Sequence, residues 1–76
     1  MNKYHINIFY SEDDEGFIAD IPDLKFCSAF GKTPQEAVSE VMVALELWLE
    51  TAVSSNLPIP RPQYRSQNIP HIRKAV

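Results

Sequence analysis

The fold is decided by the stretch FGKTPQEAVSEVMVALELWLETAVS, residues 30–54. Thr33 is an N-cap residue type, because its hydroxyl accepts a hydrogen bond from a backbone amide that the first helical turn leaves without a partner. Pro34 follows at the first helical position, where a missing N–H costs nothing, and Glu36 completes a capping box. The stretch therefore predicts a helix that begins at Thr33 and ends near Ser54.

The interior of this helix is apolar on one side. At about 100° per residue its apolar residues fall within roughly half of the circumference, and a face that wide is usually covered by a β-sheet. The residues predicted to be buried are Ala37, Val38, Val41, Met42, Ala44, Leu45, Trp48, Leu49 and Ala52. Val43 and Leu47 lie on the otherwise polar side. They are either tolerated exposed residues or a contact with a second protomer or another partner.

The residues before the helix have the pattern of β-strands. Aromatic and β-branched residue types dominate residues 4–10, 17–21 and 26–30, which we predict to be three strands. Between the first two lies a turn, because four consecutive acids need solvent and Gly16 can adopt a positive φ. The predicted fold class is α+β, with an antiparallel three-stranded sheet packed on one long helix in the order β-β-β-α.

The segment after the helix reads LPIPRP over residues 57–62, which favours extended polyproline geometry. We therefore divide the chain into a domain over residues 1–62 and a basic tail over residues 63–76. Two alternatives for the tail stay open at this point. Its residues 69–76 add a short fourth strand, or the tail reaches a neighbouring protomer as an oligomer arm.

Charge is distributed unevenly along the chain. The net charge is −3, and all ten acids lie between Glu12 and Glu50. The residues before Arg61 contain three lysines and all ten acids, so this part of the chain carries −7. The chain from Arg61 onward carries +4 and contains no acid. The cations of the tail are Arg61, Arg65, Arg73 and Lys74. They form either a weak footprint for nucleic acid or an arm that lies on its own acidic body or on a neighbour's.

No group of residues predicts a metal or cofactor site. Cys27 is the single cysteine, and His5 and His71 have no further ligand at a suitable spacing. The acids of residues 12–15 lack the spaced oxygen ligands of a calcium loop. For Asp23, a role in the turn after proline is sufficient. We therefore expect no metal and no cofactor.

Length and hydropathy limit the class of protein. No apolar run of the 76 residues reaches the 18 or more that a membrane span needs, and no basic-then-apolar leader opens the sequence. We therefore expect a cytoplasmic protein that does not bind membranes. A chain of this size buries a small core and often gains stability by self-association, so we also expect a dimer or a tetramer.

Four pieces of the sequence, taken in order and spacing, resemble the HicB family of antitoxins. They are residues 4–10, residues 16–24 (GFIADIPDL), residues 31–37 (GKTPQEA) and residues 57–62 (LPIPRP). Phe26 departs from the family pattern, which usually has glycine after the Pro-Asp-Leu turn. Many members continue into a DNA-binding domain, and because this chain ends at Val76 we do not expect it to bind operator DNA.

The resemblance implies a partial ribonuclease-H-like fold and an antitoxin that neutralises a HicA-type messenger-RNA-cleaving toxin by steric and electrostatic occlusion. An acidic turn suits such a basic partner, because it can mimic RNA phosphates. The partner-binding residues we predict are Glu12, Asp13, Asp14, Glu15, Val43 and Leu47. A second reading is an orphan oligomeric module that binds nucleic acid through its basic tail.

Nuclease activity is not expected from this likeness. A ribonuclease-H site needs several converging carboxylates that hold two divalent metals. The first strand offers Asn7 but no acid, and Glu40 and Glu46 fall on the polar side of the helix. The fold alone does not carry the activity, so we expect a protein that is not an enzyme.

Overall fold

The long helix follows three strands and packs across the sheet that they form. The computed structural model describes residues 3–64. Its elements are β1 (Asn7–Ser11), β2 (Gly16–Asp20), β3 (Ser28–Gly31) and α1 (Pro34–Ser54). The strands lie in the order β1-β2-β3, and both pairings are antiparallel. The predicted α+β class and the β-β-β-α order are confirmed.

The strand register sorts the side chains onto two faces of the sheet. Ala19 of β2 is fully buried against α1, and Ile8 of β1 and Ala29 of β3 stand opposite it on the same face. Neighbouring residues along a strand point to opposite faces. Phe9, Ile18 and Phe30 therefore share the other face, which α1 does not cover. This second face is called the open face below.

The core lies between α1 and the sheet, mainly under β2 and β3. Its buried residues are Ala19, Ile21, Leu24, Cys27, Ala37, Val41 and Leu45. The predicted apolar side of the helix is largely confirmed, although Met42 is 37 % exposed and Trp48 is only half-buried. Met42 lies at the edge of the apolar stripe. Trp48 lies within the stripe and packs against the core, but it stays partly exposed. Trp48 keeps its indole N–H at 3.1 Å from the carbonyl oxygen of Lys25.

Tyr4 and Ile6 pack against the core although they lie outside the strand ladder. β1 begins at Asn7, three residues later than the predicted strand. Tyr4 and Ile6 nevertheless pack against the core in the alternating pattern that the sequence indicates. The alternation thus predicts burial correctly here, while the backbone hydrogen bonds begin only where β2 lies alongside.

Both ends of α1 are capped by recognisable motifs. Thr33 Oγ1 accepts a hydrogen bond from the amide of Glu36 at 3.1 Å, and the Glu36 carboxylate accepts one from the amide of Lys32 at 2.5 Å. At the other end Asn56 adopts a φ of 61°, and the amide of Leu57 donates to the carbonyl of Ala52 at 2.8 Å. This is a Schellman motif, which satisfies carbonyls that the helix leaves open.

The two glycines act through their missing Cβ atoms rather than through positive φ, which neither adopts. In the β1–β2 turn the left-handed residue is Glu15, at φ 56°, so the role predicted for Gly16 is wrong. A Cβ on Gly16 would lie 2.4 Å from the Phe30 ring. A Cβ on Gly31 would lie 2.3 Å from the backbone nitrogen of Ala37, which explains the glycine two residues before the cap.

Candidate interaction surfaces

The predicted partner-binding acids form the tip of the β1–β2 hairpin. Residues 12–15, called the acidic turn below, are all exposed. The Ser11 hydroxyl donates to the Asp14 carboxylate at 2.8 Å, and the amide of Glu15 approaches the carbonyl of Glu12 at 3.3 Å. The turn therefore presents four carboxylates to solvent on a hairpin whose two strands are paired up to its base.

The outer side of α1 carries the two predicted apolar residues. Val43 is 53 % exposed and Leu47 is 58 % exposed. Leu47 also borders a shallow groove of about 350 Å³ between α1 and the turn before β3. The groove is lined in addition by Phe26, Cys27, Ala44, Trp48, Thr51, Ala52 and Leu57.

Phe26, which lines this groove, has an unusual backbone conformation and an exposed ring. It adopts a φ of 60°, and its ring is 97 % exposed. The left-handed region costs a residue with a Cβ about 1–2 kcal/mol, and so exposed a ring regains little by burial. Phe26 is also the residue at which the sequence departs from the pattern that it otherwise resembles.

The open face carries an apolar row that crosses all three strands. Phe9 and Phe30 each stand opposite Ile18 in the register, and they are 50 % and 39 % exposed. We call these three residues the open-face row. The strand register brings these three residues together, so the row could not be found from the sequence alone.

Polar residues border the open-face row on the side away from the acidic turn. The Asn7 side-chain amide donates to the Asp20 carboxylate at 3.3 Å, and its oxygen lies 2.7 Å from the Nε2 of His5. The His5 ring packs against Tyr64, with ring centroids 4.6 Å apart. A short network therefore joins β1 and β2 to the segment that follows the helix.

That segment is fastened to the body by the carboxylate of Asp23. The Asp23 carboxylate accepts hydrogen bonds from the amides of Gln63 at 3.0 Å and Tyr64 at 3.2 Å. The Tyr4 hydroxyl donates to the carbonyl of Pro60. Asp23 thus does more than the turn role predicted for it, and no local sequence pattern points to partners 40 and 41 residues away.

Cys27 is buried at the end of the turn before β3. Burial raises the pKa of its thiol, and the negative charge of Asp20 raises it further. A thiol with a raised pKa holds little of the nucleophilic thiolate at neutral pH. The residue therefore packs as a small apolar side chain, as its place in the sequence suggests.

The remaining predicted residues belong to the tail. Arg61 is exposed, while Arg65, Arg73 and Lys74, together with the proposed fourth strand over 69–76, lie outside the described residues. Within residues 3–64, no three His, Cys, Asp or Glu side chains are grouped so that they could hold a metal ion. In the same range, no helix combines the length and apolar character needed to cross a membrane.

Residues 3–64 form a small α+β domain with an exposed acidic turn and exposed apolar residues. The profile of the UPF0150-like family matches residues 3–60. The chain therefore belongs to the UPF0150-like family.

Two relatives from Synechocystis sp. are similar to this chain. UPF0150 protein ssl0259 is 42 % identical over 53 residues, which cover 70 % of this chain and 73 % of the relative. UPF0150 protein ssr1765 is 36 % identical over 50 residues, which cover 66 % of this chain and 63 % of the relative. No solved structure matches the chain.

Proposed function

We propose that this protein is a HicB-like antitoxin, which binds a HicA-type messenger-RNA-cleaving toxin and occludes it without turnover. The observation that supports this best is the acidic turn, which presents four exposed carboxylates at the tip of the hairpin. Carboxylates in that position can oppose the basic RNA-binding surface of a ribonuclease and speed its capture. Val43 and Leu47 supply apolar contact area on a separate side of the domain.

The proposal includes a cytoplasmic dimer or tetramer. With few buried residues, the domain has little core to stabilise a monomer. Val43 and Leu47 are candidates for the contact between copies as well as for the toxin contact. The variant Val43→Lys distinguishes the contact between copies from the contact with the toxin. Sedimentation measures whether the variant still self-associates, and its binding to the toxin is measured in a separate experiment.

The experiment is capture of the toxin followed by inhibition of its activity. The tagged full chain is expressed in its native host, and co-purified proteins are identified by mass. We expect a small, basic, histidine-containing protein in stoichiometric amount, whose cleavage of RNA is stopped by one equivalent of the chain. Recovery of only the tagged chain and its own copies, or capture without inhibition of cleavage, would refute the proposal.

The acidic turn provides a second measurement. The variant in which residues 12–15 are changed to Gln or Asn should associate with the toxin more slowly, and the rate should depend less on salt. Glu40→Gln with Glu50→Gln is a control that also removes acids, but from α1. If both variants associate equally fast, the turn is not the steering surface.

A second candidate function is nucleic-acid binding by an orphan module. It is favoured by the +4 charge from Arg61 onward, and Arg61 itself is exposed. Binding through phosphates weakens steeply with salt. A gel shift that weakens with salt and disappears in the variant Arg65→Gln, Arg73→Gln, Lys74→Gln would support this function over the first.

A further inference from the structure

We propose that two copies of this chain bind each other through Phe26, whose ring enters the groove between α1 and the turn before β3 of the second copy. The ring is 97 % exposed, and it borders the same groove in its own chain. The contact specifies the dimer that is part of the proposed function and rests on it, but it involves no toxin. It is therefore tested on the purified chain alone.

The backbone of Phe26 holds the ring in its exposed position. The flanking residues Leu24 and Cys27 are buried, and the amide of Cys27 donates to the carbonyl of Leu24 at 3.3 Å. Phe26 stands at the third position of this turn, where a φ of 60° favours glycine. Within one copy, almost no burial of the ring offsets this strain. Burial in a second copy offsets it, because buried aromatic rings dominate the energetics of interfaces.

The groove has the size and the lining that a phenyl ring needs. Its volume of about 350 Å³ lies at the lower end of the range of about 300–1,000 Å³ for pockets that enclose a small ligand. Ala44, Leu47, Trp48 and Leu57 line it with apolar side chains. The indole N–H of Trp48 already donates to the carbonyl of Lys25. Entry of an apolar ring therefore leaves no polar group of Trp48 without a partner.

The ring and the groove lie side by side, so one two-fold axis lets each copy insert its ring into the other. Phe26 exposes roughly 200 Å² by itself. The exposed parts of Val43, Leu47 and Leu57 bring the apolar area to roughly 400 Å² per copy. An interface of standard size buries about 800 Å² per partner and is a little more than half apolar. The surface thus has close to the apolar area that a stable dimer needs.

The charges around the groove also fit a second copy. Lys25 directly precedes Phe26 and is exposed. When Phe26 enters the second copy, Lys25 comes to the outer side of that copy's α1, where Glu40 and Glu50 are exposed. Opposite charges that meet across an interface favour this orientation of the two copies.

The first test is sedimentation of the purified full chain, for which we expect a dimer. Phe26→Ala keeps the left-handed backbone and removes the ring. It should raise the dissociation constant about 100-fold, because the dimer contains two such anchors and each is worth roughly tenfold or more. Phe9→Ala, the matched control, removes a half-exposed ring from the open face and should change the constant by less than about threefold.

Two results of this test have different meanings. A monomer at every concentration would overturn both the contact and the dimer of the proposed function. A dimer that Phe26→Ala leaves intact would overturn the contact alone.

Thermal unfolding separates the contact from the backbone strain. Phe26→Gly relieves the left-handed residue, so it should melt above the unaltered chain in dilute solution, where both are monomers. The melting temperature of the unaltered chain should rise with concentration, because only folded chains dimerise, while that of Phe26→Gly should stay constant. We expect the two values to cross. A higher value for Phe26→Gly at every concentration would contradict the proposal.

A photoreactive side chain tests the placement of the ring. Phe26→p-benzoylphenylalanine should give a cross-linked dimer on irradiation, with the bond in residues 44–51 of the second copy. The same replacement at Phe9 should give none. Cross-links found only within one chain, whether to its own groove or to residues 65–76, would exclude the second copy as the occupant.

Discussion

The sharpest stability prediction concerns Gly31, which packs against the first turn of α1. In Gly31→Ala, the new Cβ would lie 2.3 Å from the Ala37 nitrogen and 2.7 Å from the carbonyl carbon of Glu36. Both are backbone atoms, so the strand and the helix must move apart by about 1 Å to reach ordinary contact. Overpacking of this kind costs about 1–3 kcal/mol. Disturbing the helix cap adds about 1 kcal/mol.

We therefore expect Gly31→Ala to lower the free energy of unfolding by about 2–4 kcal/mol. A chain of 76 residues has roughly 4–11 kcal/mol in total. Gly16→Ala is the matched control. Its Cβ would meet the Phe30 ring, which is 39 % exposed and can rotate aside at about 1 kcal/mol. It would also lie 2.9 Å from the carbonyl oxygen of Gly31, a smaller overlap with the backbone than the 2.3 Å of Gly31→Ala.

The assay is urea unfolding followed by the fluorescence of Trp48, the single tryptophan. With a slope of about 1 kcal/mol per molar urea, the midpoint of Gly31→Ala should fall roughly 2 M or more below that of the unaltered chain. Gly16→Ala should lie within about 1 M of it. Equal midpoints for the two variants would refute the argument from backbone contact.

Three further predictions use the cap, the strained phenylalanine and the buried thiol. Thr33→Ala should cost about 1 kcal/mol in urea unfolding, whereas Thr33→Ser, which keeps the hydroxyl, should cost much less. Phe26→Gly should raise the melting temperature of the monomer, because it relieves a left-handed residue at little loss of burial, while Phe26→Ala keeps the strain and should not. Alkylation of Cys27 at pH 8 should be much slower in the native than in the unfolded chain, because burial and then Asp20 raise the pKa of its thiol. Since the unfolded thiol ionises first, the free energy of unfolding should fall as the pH rises from the ordinary thiol pKa towards the raised one; a native alkylation rate equal to the unfolded one would contradict this.

Local patterns in the sequence account for the elements of this fold. The cap at Thr33 and the apolar stripe behind it place α1 to within a residue or so of its observed ends. The helix interior and the hairpin depend on residues that are close together in the sequence. Their patterns can therefore be recognised in a single sequence. The strand ends are less well placed, because β1 begins only where β2 lies alongside to accept its hydrogen bonds.

Contacts between distant residues account for what the sequence did not predict. Gly16 makes room for Phe30, which lies 14 positions later in the chain, and Asp23 binds amides 40 and 41 residues away. The open-face row becomes visible only when the register places its three members opposite one another. The exposure of Val43 and Leu47 was predictable, since it depends only on the helical period.

The bonds of Asp23 and Tyr4 also bear on how the chain folds. They join residues 40 to 56 positions apart and lie at the surface. Closing so long a loop costs entropy that is repaid only once the sheet and helix are in place. The segment from Leu57 to Tyr64 should therefore attach after the main folding barrier. Substitutions at Asp23 should then speed unfolding while leaving the folding rate almost unchanged.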